Sequence, residues 1–291
     1  MSTEETPLYL RKNSYILDAN DEVEMARLVF QNYLITRNTD GLSLRPPGSS
    51  YTSEIDAILD MACGAGGWVL QMAEKYPETE VMGVDLSIRM LTYARAQALV
   101  FGLPNAHFRL MDILQPLDFL DNSFDFVNAR FLVGVVPPAA WPALLRECWR
   151  ITRPGGLIRL TEAEYGISNS YAWEQLSELV TRALHKVGRS FSPDGQHFGI
   201  TPMLGRFLRD ANYKNIQKVA YLIDYSAGAE EHDPLYEEFR ITLRQMQPFL
   251  IKVGLTTQEE GDRLYQQALV DMRANDFCAV QFLLSVWGEK L

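Results

Sequence analysis

The sequence is poor in cysteine and histidine, with three of the first and four of the second in 291 residues. Cys63, Cys148 and Cys278 are widely separated and form no CxxC pair. That argues against a disulfide framework and against a cysteine metal site, and fits a reduced, cytoplasmic protein with no metal. Long apolar runs are missing as well. None reaches the length needed to span a bilayer, so a membrane partner is not expected. The opening stretch MSTEETPLYL is acidic and polar with no apolar core, so no secretory signal is expected. Positive charge is in deficit: 27 Lys and Arg stand against 37 Asp and Glu, a formal net charge of −10. Binding to a phosphate backbone needs clustered cations, so nucleic acid is not an expected partner. The longest basic excess, Arg146, Arg150 and Arg153, lies on a helical pattern and reads as a solvated face. Internal repeats and low-complexity segments are also absent.

What is present is an ordinary globular composition, 47% hydrophobic and 22% charged, enough for one sizeable domain with additions or two small ones. A helix is expected in DANDEVEMARLVFQNYLI, capped by Asp21 with Glu24 three residues on, and with Met25, Leu28, Val29 and Tyr33 on one face. RPPGSS (45–50) reads as a turn or linker. From about residue 55 short apolar runs alternate with helical patterns. The runs are AILDMA (57–62), EVMGVD (80–85), AHFRLMD (106–112), FDFVNARFL (124–132) and GLIRLTEAE (156–164). The helices between them cover 68–76, 87–101 and 138–151. Such alternation predicts an α/β fold with a parallel sheet and right-handed crossovers. Beyond it come a helix over 170–187, a loop over 188–200, a helix over 201–211, a strand over 216–226, and two helices. The first of these two is expected to kink or break at Pro248, and the second covers about 257–273. A last strand is expected over 277–288.

The chemistry is concentrated in ILDMACGAGGWVLQMAEKYPETEVMGVDLS. A strand ends at Asp60-Met61-Ala62, and the chain turns through Cys63, Gly64, Ala65, Gly66 and Gly67 into a helix. Small residues let the backbone approach a ligand, and a helix N-terminus offers unpaired N–H groups. Asp85 closes the next strand, nineteen residues after Gly66, where a carboxylate holds the two hydroxyls of a ribose. Three readings compete: a dinucleotide site, an S-adenosylmethionine site, or a packing turn without ligand. The spacing DxAxGxGG departs from GxGxxG. The first strand carries its own acid, Asp60, the third supplies Asp112, and the fourth supplies Asn128. A pyrophosphate would be repelled by these acids, whereas a sulfonium, an ammonium and an adenine amino group would be favoured.

With these residues in view, the sequence resembles class I S-adenosylmethionine-dependent methyltransferases. LDMACGAGG is similar to the family's first motif, GVDLS to its ribose-binding acidic turn, and RLMDI to its adenine-contacting segment. FDFVNARFLVGVV and ECWRITRPGGLIRLTE resemble its fourth and fifth strand regions, so the likeness covers roughly 55–165. Ala62 stands where the family usually has its first glycine. The resemblance implies a Rossmann-like, seven-stranded, mostly parallel sheet with helices on both faces and an antiparallel last strand. It implies S-adenosyl-L-methionine as cofactor and S-adenosyl-L-homocysteine as product. Asp60, Ala62, Gly64, Gly66, Asp85, Leu86, Asp112, Ile113 and Asn128 would line the site. A looser likeness, in SYILDANDEVEMARLVFQNYLI and WPALLRECWR, is to methyltransferases of natural-product pathways and to some fungal regulators of secondary metabolism.

Four regions follow: an N-terminal helical segment (1–50), the cofactor-binding core (51–165), a helical lid insertion (166–200), and the rest of the sheet with a helical insertion at about 228–275 (201–291). The additions are expected to form a lid over the strand ends; covering the sheet or forming a homodimer are the alternatives. The region is aromatic, with Tyr165, Tyr171, Trp173, Phe191, Phe198, Tyr236 and Phe239, of which Trp173 and Phe239 read as core. Tyr9 and Tyr15 are candidate ligand contacts. For an acceptor that must lose a proton, Glu162 at the end of the fifth strand and His197 in a polar loop are the candidate catalytic groups, with His185 a surface alternative. Arg130 would meet the cofactor carboxylate, an acidic acceptor, or a structural salt-bridge partner. The expected acceptor is a small organic molecule, a natural-product intermediate. The rivals are a protein or nucleic-acid methyltransferase, opposed by the absence of an NPPY-type stretch, and a non-catalytic regulator that keeps the fold.

Overall fold

The computed structural model describes Leu17, residues 21–48 and residues 54–291. The candidate contacts Tyr9 and Tyr15 lie outside the described residues. The first helix, α1 (Glu22–Asn38), starts at Asp21, whose carboxylate accepts the Val23 N–H at 3.0 Å. Glu24 does not close a capping box. It is fully buried and binds Arg27, while Tyr33 is half-exposed. The expected apolar face of α1 is therefore corrected: this helix packs a charged pair inward, because it sits against a partner that supplies a further carboxylate.

The alternating segment then builds β1 (Ala57–Met61), α2 (Gly67–Lys75), β2 (Glu80–Asp85), α3 (Ile88–Phe101), β3 (Ala106–Leu110), β4 (Phe124–Arg130), α4 (Trp141–Ile151) and β5 (Thr152–Ala163). Strands buried on both faces need near-continuous apolar sequence, which is why these runs were readable. Successive side chains point to opposite faces. Leu59, Val127 and Ile158 meet the layer containing Leu144, Leu145 and Leu208. Ile58, Phe126 and Leu157 meet Trp68, Val69 and Leu91 of the other layer.

After β5 come β6 (Ile167–Ser168), α5 (Tyr171–Lys186), α6 (Leu204–Asp210), β7 (Lys214–Asp224), α7 (His232–Lys252), α8 (Gln258–Met272) and β8 (Ala279–Glu289). The strand order is β3-β2-β1-β4-β5-β8, with β8 antiparallel to β5 and β7 antiparallel to β8. The antiparallel last strand is as expected. Among the described residues the sheet has eight strands rather than seven, because the two-residue β6 continues along β8 past the end of β5. Two residues leave no periodicity to read. Nor does α7 break at Pro248: the helix runs through it. One lost N–H donor is outweighed by an apolar face of Leu235, Phe239, Leu243, Met246 and Leu250, buried against the rest of the helical addition.

Cys63, Cys148 and Cys278 form no disulfide. Arg150 is held by Glu147 and Asp121, and Arg153 by Asp125, so little of the basic excess is uncompensated. Among the described residues, no helix is long and apolar enough to cross a membrane.

Candidate functional site

The chain leaves β1 through Ala62, whose φ is 53°, and enters α2 through Gly66, whose φ is 76°. Both lie in the left-handed region that glycine accepts without cost and alanine does not. At Gly66 space adds to the demand: a Cβ there would stand 2.6 Å from the Phe108 ring and 2.7 Å from the Ala94 methyl. This loop therefore closes tightly on β2, β3 and α3, and it leaves the first turn of α2 facing a crevice. Asp85 fixes the loop from the side. Its Oδ2 accepts the Gly64 N–H at 2.9 Å, and its Oδ1 accepts the Ser87 N–H at 2.8 Å. A carboxylate has about four lone-pair sites, so these bonds leave acceptor capacity for a ligand hydroxyl. Burial pushes the Asp85 carboxyl up, and the N–H groups of Ser87 and Gly64 oppose that rise.

The crevice opens at the carboxyl ends of β1, β2 and β4. Its lining includes Asp60, Ala62, Gly64, Asp85, Leu86, Asp112 and Ile113. The structure thus brings together seven of the expected cofactor residues. Gly66 and Asn128 shape the crevice from behind. Asn128 is fully buried and donates its side-chain N–H to Asp60 Oδ1 at 2.7 Å. Asp60 is pushed up to about 6, because its burial outweighs the nearby Arg130 guanidinium and the Asn128 hydrogen bond. Asp112 accepts the Leu114 N–H at 2.9 Å, which aims that turn.

Several lining residues were not anticipated. Leu28, Gln31 and Asn32 come from α1, Met90 from α3, and Phe131, Leu132 and Val135 from the turn after β4. The apolar run FDFVNARFL was read as strand to Leu132, but β4 stops at Arg130. Phe131 then takes φ 55°, an outlier for a bulky side chain, and its N–H bonds the Thr161 carbonyl at 3.0 Å. The reading of α1 by apolar period had no means of finding Gln31 and Asn32. Arg130 lines the crevice and donates to Asn32 Oδ1 at 2.6 Å, with Trp68 beneath its guanidinium.

The two candidate catalytic groups are not brought to the crevice. Glu162 is buried beneath the turn after β4, where its Oε1 accepts the Leu132 N–H at 2.6 Å. Burial pushes its carboxyl up to about 8. A strand's carboxyl end was the right place to look, but the side chain supports a wall rather than lining it. His197 is exposed in the 188–200 loop, and His185 is exposed on α5. Within the described lining there is no residue from α5, α7 or α8. These helices pack with one another: Trp173 and Phe239 are buried core, with ring centroids 4.4 Å apart, as expected, while Tyr171 is largely exposed.

Comparisons with known proteins agree with this geometry. Residues 58–156 match the family model described as a methyltransferase domain. Among curated relatives, methyltransferase pytC of Aspergillus terreus is 28% identical over 229 residues, covering 75% of this chain and 63% of that protein. The secondary metabolism regulator laeA of Aspergillus fumigatus is 32% identical over 163 residues, covering 53% of this chain and 38% of that protein. The chain thus spans less than two thirds of the length of these relatives. Among solved structures, phosphoethanolamine N-methyltransferase 2 of Haemonchus contortus, in complex with S-adenosyl-L-methionine, superposes with a TM-score of 0.50 at 18% identity. The match covers 92% of this chain and 56% of that one. The sheet order, the acid-lined crevice and the family match define a methyltransferase domain. Residues 58–156 thus form a domain of the class I S-adenosylmethionine-dependent methyltransferase type.

Proposed function

We propose that the protein binds S-adenosyl-L-methionine and transfers its methyl group to a small organic acceptor, a natural-product intermediate. The observation that carries this reading is the convergence of Asp60, Asp85 and Asp112 with the Ala62–Gly67 loop around one crevice. The donor set fits the cofactor. Asp85 retains lone pairs for ribose hydroxyls, Asp112 and Ile113 suit an adenine edge and face, and Asp60 suits an ammonium. Bound there, the cofactor supplies a methyl carbon activated by sulfonium. The chain's own residues then align the acceptor and exclude water. Beside the polar Gln31, Asn32 and Arg130, the residues Leu28, Met90, Phe131, Leu132 and Val135 give the lining an apolar side, which favours an acceptor with an apolar body. The relative named as a secondary metabolism regulator supports the same neighbourhood.

A second reading, a regulator that binds the cofactor without turnover, is favoured by one feature: the described lining contains no histidine, tyrosine or lysine to take a proton. Calorimetry with S-adenosyl-L-homocysteine, followed by transfer of labelled methyl to a panel of phenols, amines and carbon acids, tests both. Binding with turnover supports the enzyme, and binding without turnover across the panel supports the regulator. Absence of binding defeats both.

A further inference from the structure

Under the crevice lies a buried arginine that is not among its described lining residues. Arg159 sits mid-strand in β5, 2% exposed. Its Nε donates to Asn128 Oδ1 at 2.8 Å. Its Nη2 donates to the Gly41 carbonyl at 2.9 Å, and its Nη1 to the carbonyls of Ser43 at 3.2 Å and Asp40 at 3.3 Å. The rings of Trp68, Phe126 and Trp287 surround the guanidinium, with centroids 5.1–5.5 Å away. Among the described residues no carboxylate bonds it directly. Taking a cation out of water without a directly bonded counter-ion is costly, so something must offset it.

What Arg159 does contact is one atom of an amide. An asparagine side chain has one accepting end and one donating end. Because the guanidinium offers only donors, Asn128 must turn its oxygen towards Arg159 and its nitrogen towards Asp60. The Asn128 nitrogen then meets Asp60 Oδ1 at 2.7 Å. We propose that Arg159 is a positioning residue for the cofactor site, acting through Asn128 to hold Asp60 in one orientation and in its ionised form for a cationic ligand group. This rests on the proposed cofactor reading, since Asp60 is useful as an anion only if the ligand brings an ammonium.

Among the described residues, two charged groups besides Arg159 and one thiol face Asp60. Arg130 from β4 favours its ionised form, Asp85 from β2 opposes it, and the Cys63 thiol, itself pushed well up by burial, stays neutral. With burial holding Asp60 up to about 6, the crevice is close to losing its anion in mildly acidic solution, and the Arg159 charge works against that loss. The carbonyl anchors have a second effect. They tie the segment directly after α1 to the same guanidinium, so the α1 wall of the crevice and its anion share one support.

The test is calorimetric titration of S-adenosyl-L-homocysteine into the full chain from pH 5 to 8, with wild type, Arg159→Lys, Arg159→Met and Asn128→Ala. In wild type, affinity falls as pH drops through the Asp60 midpoint. In Arg159→Met and Asn128→Ala the midpoint rises by about half a unit or more, the effect of removing a nearby opposite charge or a hydrogen bond to the anion. Affinity at pH 6 falls at least threefold more than at pH 8. Arg159→Lys keeps the charge but not the fork, and its midpoint lies between. Asn128→Ala carries the test if Arg159→Met does not fold. Variants that bind more weakly by the same factor at every pH would overturn the proposal, leaving Arg159 a packing residue. Wild type that binds at no pH would instead defeat the cofactor reading.

Discussion

Two buried charge clusters in this protein use similar parts for different ends. In the sheet, Asp60, Asn128 and Arg159 form a line whose acid opens into the crevice. Between α1 and α7, Glu24, Arg27 and Glu238 form a closed knot. Arg27 holds both oxygens of Glu24, at 2.6 and 2.7 Å, and also bonds Glu238, which in turn accepts the Gln31 amide at 3.1 Å. The first cluster separates its two charges by a neutral amide and keeps the acid available. The second brings them into direct contact and spends them. A buried acid is thus a site when its partner is one residue removed, and a fastener when the partner is adjacent. That distinction explains why the expected lid helices reach the crevice only indirectly. They hold α1, and α1 supplies Leu28, Gln31 and Asn32 to the lining.

The strongest way to break this comparison is Arg27→Met. It leaves Glu24 and Glu238 buried without their cation, and a cost of about 3–5 kcal/mol is expected in chemical denaturation. A loss under about 1 kcal/mol would show that the knot fastens nothing. Asp85→Ala should act on the ligand instead, weakening S-adenosyl-L-homocysteine by about 1–3 kcal/mol because the Gly64 and Ser87 N–H groups lose their acceptor. Unchanged affinity in calorimetry would remove Asp85 from the site.

Glu162 sharpens the contrast through pH. Its carboxyl is raised by burial to about 8, above its unfolded value. Its contribution is therefore fully present below the unfolded value and is lost as pH rises towards 8. Glu162→Gln cannot ionise, so the stability of wild type relative to the variant should decline between pH 5 and 8. Parallel melting curves across that range would contradict the assignment. The smallest effect is expected at Ala62→Gly. Glycine relieves the left-handed φ but adds freedom to the unfolded chain, for a net gain of a few tenths of a kcal/mol. A lower melting temperature would mean that the Ala62 methyl packs usefully.

The sheet and its acids were legible in the sequence because parallel strands buried on both faces write themselves as apolar runs, and because each crevice acid stands at or just past the end of one. Asp60, Asp85 and Asp112 needed only that rule. The α1 wall was not legible, since its inward residues include Glu24 and Arg27, which a search for apolar periodicity assigns to solvent. The turn after β4 was hidden in the opposite way: Phe131, Leu132 and Val133 look like more strand, and only a backbone reversal at Phe131 separates them from it. Glu162 and His197 were chosen for chemical type and for sequence position at a strand end or in a loop. Side-chain direction and exposure keep both out of the described lining, and neither is written in the order of residues.

The position of β8 has a consequence for synthesis. It follows both β5 and β7 in the chain, yet it lies between them and pairs with both along most of its length. Until residues 279–289 leave the ribosome, two long strands carry unpaired edges that only this segment satisfies. A cell making this protein therefore has to shelter a chain whose sheet is joined up only by the insertion of one central strand, and truncation before Ala279 would yield a sticky product rather than a smaller protein.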